Sequence, residues 1–447
     1  MVGETTAGSA RPPAPAARAG DLARRPVPAT WRGGPCRRPG EAWAVVEMCK
    51  ALAVPSQGHR SDAARLSVAL DATPLLGRPT GVGAFVAGLF GGLARRDDVD
   101  VSAFAVSWRR RHGIDALVPP GVDVRQRPMP ARPLHAAWRR TSWPPVDWFV
   151  GHHDVVHGTN FVVPPARAAR VVSVHDLTPL RYPHLCDRST LVFPDLVRRA
   201  VAAGAFVHTL SDFVAAEVVE AFGAPPERVR TVHLGVPPLA APPTGGGAPS
   251  GAAGRGPHPD ACVALPAGTD RYVIAVGTVE PRKDYPSLVT AFARVAAEDP
   301  GLALVIVGAS GWGAGEVDDA LARSPAAARV VRVGYAADSA LAALLAGAAV
   351  LAYPSLYEGF GFPPLQAMAA GIPVVTTRAG AIPEVVGDAA VLVPPGDADA
   401  LADALATVLA GGPTVDAMVA RGRERCRRFS WEACAAGMVD LYRDAAR

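Results

Sequence analysis

The sequence predicts two α/β domains of similar build, each a parallel sheet covered by helices, facing each other across a cleft. Three observations predict it. Apolar runs of strand length alternate with helical patterns along most of the chain, as in βαβ units. The alternation stops over residues 237–270, a Pro-, Gly- and Ala-rich stretch containing Pro242-Pro243-Thr244-Gly245-Gly246-Gly247, and then restarts. The length of 447 residues suits two or three domains, at roughly 150 residues each.

Residues 1–64 alternate Pro, Arg, Ala and Gly without apolar periodicity and read as a disordered extension, with Met48 as an alternative later start. The first domain, 65–236, opens with a strand over 66–71, a turn-rich segment over 73–83 and a helix over about 82–95. Further strands fit 99–106, 154–157, 171–174, 206–210 and 229–234. Ser211 caps a helix over 212–222 that Gly223 ends. After the linker, the second domain covers 271–429. It alternates strands at 272–276, 302–307, 330–333, 349–353 and 373–376 with helices at 284–297, 316–321, 339–346 and 363–370. Helices near 399–409 and 415–427 follow. A last helix, capped by Ser430 within the segment 430–447, is expected to pack back on the first domain.

Hydrophobic residues make up 49% and charged residues 19%, which excludes a solvated disordered chain for the body. Gly and Pro total 89 residues without a G-x-y period, so a collagen-like chain is excluded. The net charge of +4 is local: residues 1–60 carry +5 and the rest −1. A near-neutral body argues against nucleic acid as a partner. The six cysteines form no C-x-x-C pair and read as reduced thiols in a cytoplasmic protein, with no metal expected. The longest apolar stretch, 340–353, is too short to span a bilayer, and the N-terminus has no secretory pattern. The basic tail leaves room for peripheral contact with anionic lipid at the inner face of the cell membrane. Oligomeric state is not legible.

Arginine outnumbers lysine 43 to 2, which makes Lys283 in the body conspicuous. It lies in Gly277-Thr278-Val279-Glu280-Pro281-Arg282-Lys283-Asp284, between a strand and a helix. Two cations beside a helix N-terminus suit an anion such as a diphosphate; a solvated turn is the alternative. In Ser355-Leu356-Tyr357-Glu358-Gly359-Phe360-Gly361-Phe362-Pro363-Pro364-Leu365-Gln366, Gly359 and Gly361 allow close backbone approach to a ligand. Pro363 and Pro364 start a helix, which places Gln366 in its first turn. Glu358 then stands at the sheet's ligand edge, where a carboxylate can accept hydrogen bonds from sugar hydroxyls; a helix-capping acid is the alternative. Gly81 and Gly83 in Thr80-Gly81-Val82-Gly83 follow the first strand, but Val86 occupies the third glycine position of a dinucleotide fingerprint. His175 and Asp176 lie just past a strand, where an active-site group or a mutually bonded pair fits equally, and His157 and Asn160 are placed on the same edge. Asp98-Val99-Asp100 and Asp397-Ala398-Asp399 match D-x-D, which capping and solvation also explain.

Taken together, Gly277–Lys283, Ser355–Gln366, Gly371-Ile372-Pro373-Val374-Val375 and Pro383-Glu384-Val385-Val386-Gly387-Asp388-Ala389 resemble the family 4 retaining nucleotide-sugar glycosyltransferases. The resemblance covers about residues 65–446 and implies a GT-B fold of two Rossmann-like domains, with the nucleotide sugar on the second. It implies that Arg282 and Lys283 bind the diphosphate, Glu358 the donor sugar, and Gly81 and Gly83 the phosphate from the first domain. Gly359, Phe360 and Gly361 would line the donor site, Glu384 would lie near the nucleotide, and His175 matches a first-domain active-site histidine. The family often carries a second glutamate where this chain has Gln366, so a ribose contact would lose charge assistance. The implied activity is transfer of a hexose, mannose or similar, from GDP-mannose or a UDP-hexose to a glycan, lipid-linked or small-molecule acceptor, as in polysaccharide biosynthesis. It requires no cofactor and no metal. A catalytically impaired sugar-nucleotide-binding protein and an NAD(P)-dependent enzyme are the alternatives.

Overall fold

The protein is seen in a computed structural model that describes residues 65–77, 80–108, 113–125, 127, 129–236 and 263–447. The extension over 1–64 and the linker as far as 262 lie outside the described residues. Within the linker's expected span, Val263 and Leu265 pack against the core.

The first sheet holds β1 (Leu66–Asp71), β2 (Val99–Phe104), β3 (Asp123–Arg125), β4 (Val155–Gly158), β5 (Ala169–Val174), β6 (Phe206–Thr209) and β7 (Val229–Thr231). Its order is β3-β2-β1-β4-β5-β6-β7, every pair parallel. The second sheet holds β8 (Arg271–Val276), β9 (Leu302–Val307), β10 (Val330–Gly334), β11 (Val350–Tyr353), β12 (Val374–Thr377) and β13 (Val391–Val393). Its order is β10-β9-β8-β11-β12-β13, also parallel throughout. Both are doubly wound sheets whose strand order reverses once, between β1 and β4 and between β8 and β11. Ligands of such sheets bind outside the carboxyl ends of the strands at that reversal.

The helices are α1 (Gly81–Leu93), α2 (Ala131–Trp138), α3 (Asp147–Val150), α4 (Thr178–Arg181), α5 (Phe193–Ala202), α6 (Asp212–Phe222) and α7 (Tyr285–Glu298), then α8 (Ala314–Arg323), α9 (Asp338–Gly347), α10 (Phe362–Ala369), α11 (Ile382–Val386), α12 (Ala398–Leu409), α13 (Pro413–Cys426) and α14 (Trp431–Ala446). β3 escapes the sequence pattern because it is a three-residue strand with two exposed charged residues and no apolar run. α1 begins at Gly81, so Gly81 and Gly83 form its first turn rather than a preceding loop, and Thr80 caps it by accepting from Gly83 N at 3.2 Å. α10 begins at Phe362, which moves Gln366 from the expected first turn into the second. The D-x-D acids serve structure: Asp98 pairs with Arg96 and Arg443, and Asp397 caps α12.

Strands buried on both faces explain runs such as Leu-Ala-Leu-Val-Ile-Val in β9, where all six residues are buried. α14 crosses back to pack on α1. Trp431 makes this possible: a Cβ at Gly88 would lie 2.2 Å from its ring, and one at Gly92 would lie 2.7 Å from its carbonyl oxygen. The helices approach so closely only because these positions lack side chains. A buried polar chain fixes the far end of α14. Tyr442 meets His157 Nδ1 at 2.8 Å, His157 Nε2 meets Ser173 at 2.7 Å, and Ser173 meets His208 Nδ1 at 2.8 Å. His157 therefore lies inside the first domain and does not line the cleft edge as its sequence position suggested. Among the described residues, no helix is long and apolar enough to cross a membrane.

Candidate active site

The two loops that flank the second sheet's reversal carry the charged cluster. After β8, Pro281–Lys283 form one 3₁₀ turn and Asp284 caps α7. After β11, the loop 354–361 runs alongside it, with Leu356 N donating to Arg282 O at 2.8 Å. Arg282 and Lys283 therefore converge on Glu358. Arg282 Nη1 lies 2.7 Å from Glu358 Oε2, and Lys283 Nζ 2.5 Å from Oε1. Arg282 also pairs with Glu280 at 2.6 Å and donates to Tyr357 O at 2.8 Å. Tyr353, the last residue of β11, accepts from Lys283 at 2.6 Å and donates to Glu358 at 2.7 Å.

Lys283 and Glu358 are only 7% and 6% exposed. Burial alone raises the Glu358 carboxyl, but Arg282 and then Lys283 outweigh it and hold it at about 2. Glu358 is thus ionised throughout the neutral range. The sequence reading gave the cations to a phosphate and the carboxylate to a sugar. The structure brings all three groups into one cluster, and adds Glu280 and Tyr353, which the reading missed. A tyrosine ending a strand at the ligand edge was the available signal for the second.

The first domain presses against this cluster. Gly359 sits where a Cβ would lie 1.8 Å from His175 O, so only glycine permits the contact. Ser211 donates to Gly359 O at 2.9 Å. Tyr357 accepts from Leu177 N at 3.1 Å and donates to Glu217 of α6. Phe362 packs over Gly81, 3.7 Å from where its Cβ would be, so the N-terminal turn of α1 with Gly81 and Gly83 borders the same cleft. Phe360 is buried in an aromatic group with Phe362, Phe429 and His233, and Gly361 precedes α10 with φ of +122°.

His175 is buried at the end of β5, its Nε2 2.8 Å from Thr159 O, with Phe85 and Phe161 edge-on to its ring. A carbonyl only accepts, so Nε2 carries the proton, and burial lowers the ring's pKa and keeps it neutral. His175 and Asp176 do not bond each other: Asp176 accepts from Thr178 N at 2.9 Å instead. Gln366 is half-buried on α10. Glu384, on α11, reaches across to the first domain, accepting from Asp212 N at 2.9 Å and Phe213 N at 3.0 Å at the start of α6, and meeting His233 at 2.9 Å. Its carboxylate serves as an interdomain cap on that helix.

Two family descriptions match this chain in tandem. "Glycosyl transferase 4-like domain" matches residues 80–235 and "Glycosyl transferases group 1" matches residues 263–425. The chain is 28% identical to O-antigen chain mannosyltransferase B of Escherichia coli over 68% of its own length and 77% of that protein. It is 30% identical to D-inositol 3-phosphate glycosyltransferase of a Nocardioides species over 66% of its length and 68% of that protein. Among solved structures, Anabaena HepE in complex with UDP and glucose superposes with a TM-score of 0.60 at 16% identity, covering 84% of this chain and 99% of that one. The two reversal-edge loops, the two doubly wound sheets and these matches agree: the chain belongs to the group 1 glycosyltransferases and has their GT-B fold.

Proposed function

We propose that this enzyme transfers a hexose, mannose or a close relative, from a nucleotide-diphosphate sugar to a glycan or lipid-linked acceptor, with retention at the anomeric carbon. One observation carries the reading: Arg282, Lys283 and Glu358 converge at the second sheet's reversal, directly opposite His175 and the N-terminal turn of α1. In this reading the donor diphosphate lies against Arg282 and Lys283, with Gly81 and Gly83 offering the N-terminal end of α1, which carries roughly half a positive charge. Glu358, already ionised, accepts from sugar hydroxyls, and Gln366 contacts the ribose through neutral hydrogen bonds.

The leaving diphosphate takes the acceptor's proton, and the fixed cations stabilise the charge growing on it. In the same reading neutral His175 is the first-domain active-site group, with its carbonyl oxygen against Gly359 of the donor loop. The cations occupy the place a metal would otherwise take, so turnover requires neither metal nor cofactor. The name of the Escherichia coli relative supports mannose as the sugar and a glycan as the acceptor, and the UDP complex of the structural neighbour supports a nucleotide donor. The basic first 60 residues support contact with anionic lipid at the cytoplasmic face of a membrane.

Melting the full chain with GDP-mannose, UDP-hexoses, free nucleotides and NAD tests the donor class. A donor at 100 times its Kd is expected to add about 2.7 kcal/mol of stability. A shift with NAD and none with any nucleotide sugar would refute the reading.

A further inference from the structure

The cleft mouth carries aromatic side chains that the donor chemistry does not use. Trp312 lies in the loop after β9, at the carboxyl edge of the second sheet. That loop packs on the cation-bearing one: Gly311 N and Gly313 N both donate to Val279 O, at 3.1 and 3.2 Å. The indole reaches to the first domain and donates from Nε1 to Leu185 O at 3.1 Å, yet Trp312 remains 49% exposed. A tryptophan whose polar edge is fixed while half its surface stays wet is a preformed apolar platform. Leu185 belongs to a turn in which its N–H donates to Tyr182 O at 2.9 Å. Tyr182 is also partly exposed, and its ring lies 5.3 Å from that of Tyr357, the neighbour of Glu358. An aromatic path thus leads from the cleft mouth to the reaction centre.

We propose that Trp312 and Tyr182 form the acceptor subsite and that it takes a neutral sugar ring, the end of a glycan, stacked on the indole. The proposal rests on the transferase reading above and names its acceptor. A pyranose offers a face of C–H bonds to the negative face of an aromatic ring. A phosphorylated cyclitol would instead need spare cations. Arg181, on the helix leading into the turn, is paired with Glu217 and Glu220, and Arg282 is assigned to the donor diphosphate. The geometry favours the sugar.

The test is saturation-transfer NMR on the full chain with α-1,3-mannobiose and, separately, myo-inositol 3-phosphate as probes. Wild type is expected to saturate the ring C–H protons of mannobiose and not those of the inositol phosphate. Trp312→Phe, which keeps the face and loses the hydrogen bond to Leu185, should bind mannobiose within about 2-fold of wild type. Trp312→Ala should weaken it about 3- to 10-fold, the range of one aromatic contact. Four results would overturn the proposal: no mannobiose signal in wild type, an undiminished signal in Trp312→Ala, an equal loss in Phe and Ala, or inositol phosphate binding in preference. An equal loss would mean that the indole serves only to join the domains. The nucleotide-sugar melting shift, measured on the same samples, reports separately on the donor reading.

Discussion

Glu358 is where charge, burial and position meet. Replacing it with Gln keeps the shape but leaves Arg282 and Lys283 buried against a neutral amide. A hydrogen bond to a charged group is worth roughly 1.5–3 kcal/mol, so kcat/KM for transfer is expected to fall about 10- to 100-fold. Breaking a buried pair also costs stability, about 3–5 kcal/mol in the usual case, so the melting temperature should fall as well; urea melts beside steady-state rates measure both. An unimpaired Glu358→Gln enzyme would remove Glu358 from the site. Gln366→Glu places a carboxylate at the proposed ribose contact and should tighten donor binding, read as a lower donor Kd by calorimetry. At this scale the sequence was informative where chemistry is local. A lone lysine, two glycines and a glutamate in one loop were visible as candidates. That Glu358 bonds to both cations was not, because Lys283 lies 75 residues away with Arg282 beside it, and the loops meet only through the β8–β11 pairing. Glu384 shows the same limit: its partners at 212 and 213 belong to the other domain.

At the scale of elements, helices with clear caps were the most legible. Ser211, Gly223 and Ser430 mark their helix ends in the sequence and do so in the structure. Short edge elements were not, since β3 and α11 have too few residues to show a period. The contact between α1 and α14 illustrates why glycine patterns mislead. Gly88 and Gly92 look like weaknesses in a helix, but they make room for Trp431. Gly88→Ala should therefore destabilise rather than stabilise, by about 1–3 kcal/mol as for other overpacked cores. An ordinary helical Gly→Ala change would gain up to about 1 kcal/mol instead. Chemical denaturation of the single variant distinguishes the two signs.

For the whole molecule, the buried histidines make a prediction about acid. His208 is pushed down to about 4 by burial, His157 well below its ordinary value by burial and neighbouring histidines, and His175 down by burial. The unfolded chain takes up these protons near pH 6.5 while the folded chain resists, so stability falls as pH drops from 6.5 towards 4. His208 alone accounts for about 3 kcal/mol over that interval. Asp71, raised to about 6 by burial, acts the other way between 3.8 and 6, as do Asp284 and Asp338, both raised by burial, while burial lowers His135 and His153 and so adds them to the other histidines. Melting curves between pH 7 and 4 should show a steady loss; a flat profile would mean that the histidines are not neutral in the fold. The two-domain build itself was legible because alternating strands and helices repeat on both sides of a Gly/Pro stretch. Removing residues 1–60, which carry no apolar periodicity, is expected to leave the melting temperature unchanged.

The central claim is that the Arg282–Lys283–Glu358 cluster handles a nucleotide sugar with retention and without a metal. Proton NMR of donor breakdown in EDTA tests it most directly, because the first sugar released can be read before its anomers equilibrate. Wild type should release a nucleoside diphosphate and a sugar of the donor's own anomeric configuration from GDP-mannose or a UDP-hexose, and Glu358→Gln should do so about 10- to 100-fold more slowly. An inverted product, turnover that appears only with added magnesium or manganese, or a Glu358→Gln enzyme as fast as wild type would contradict it.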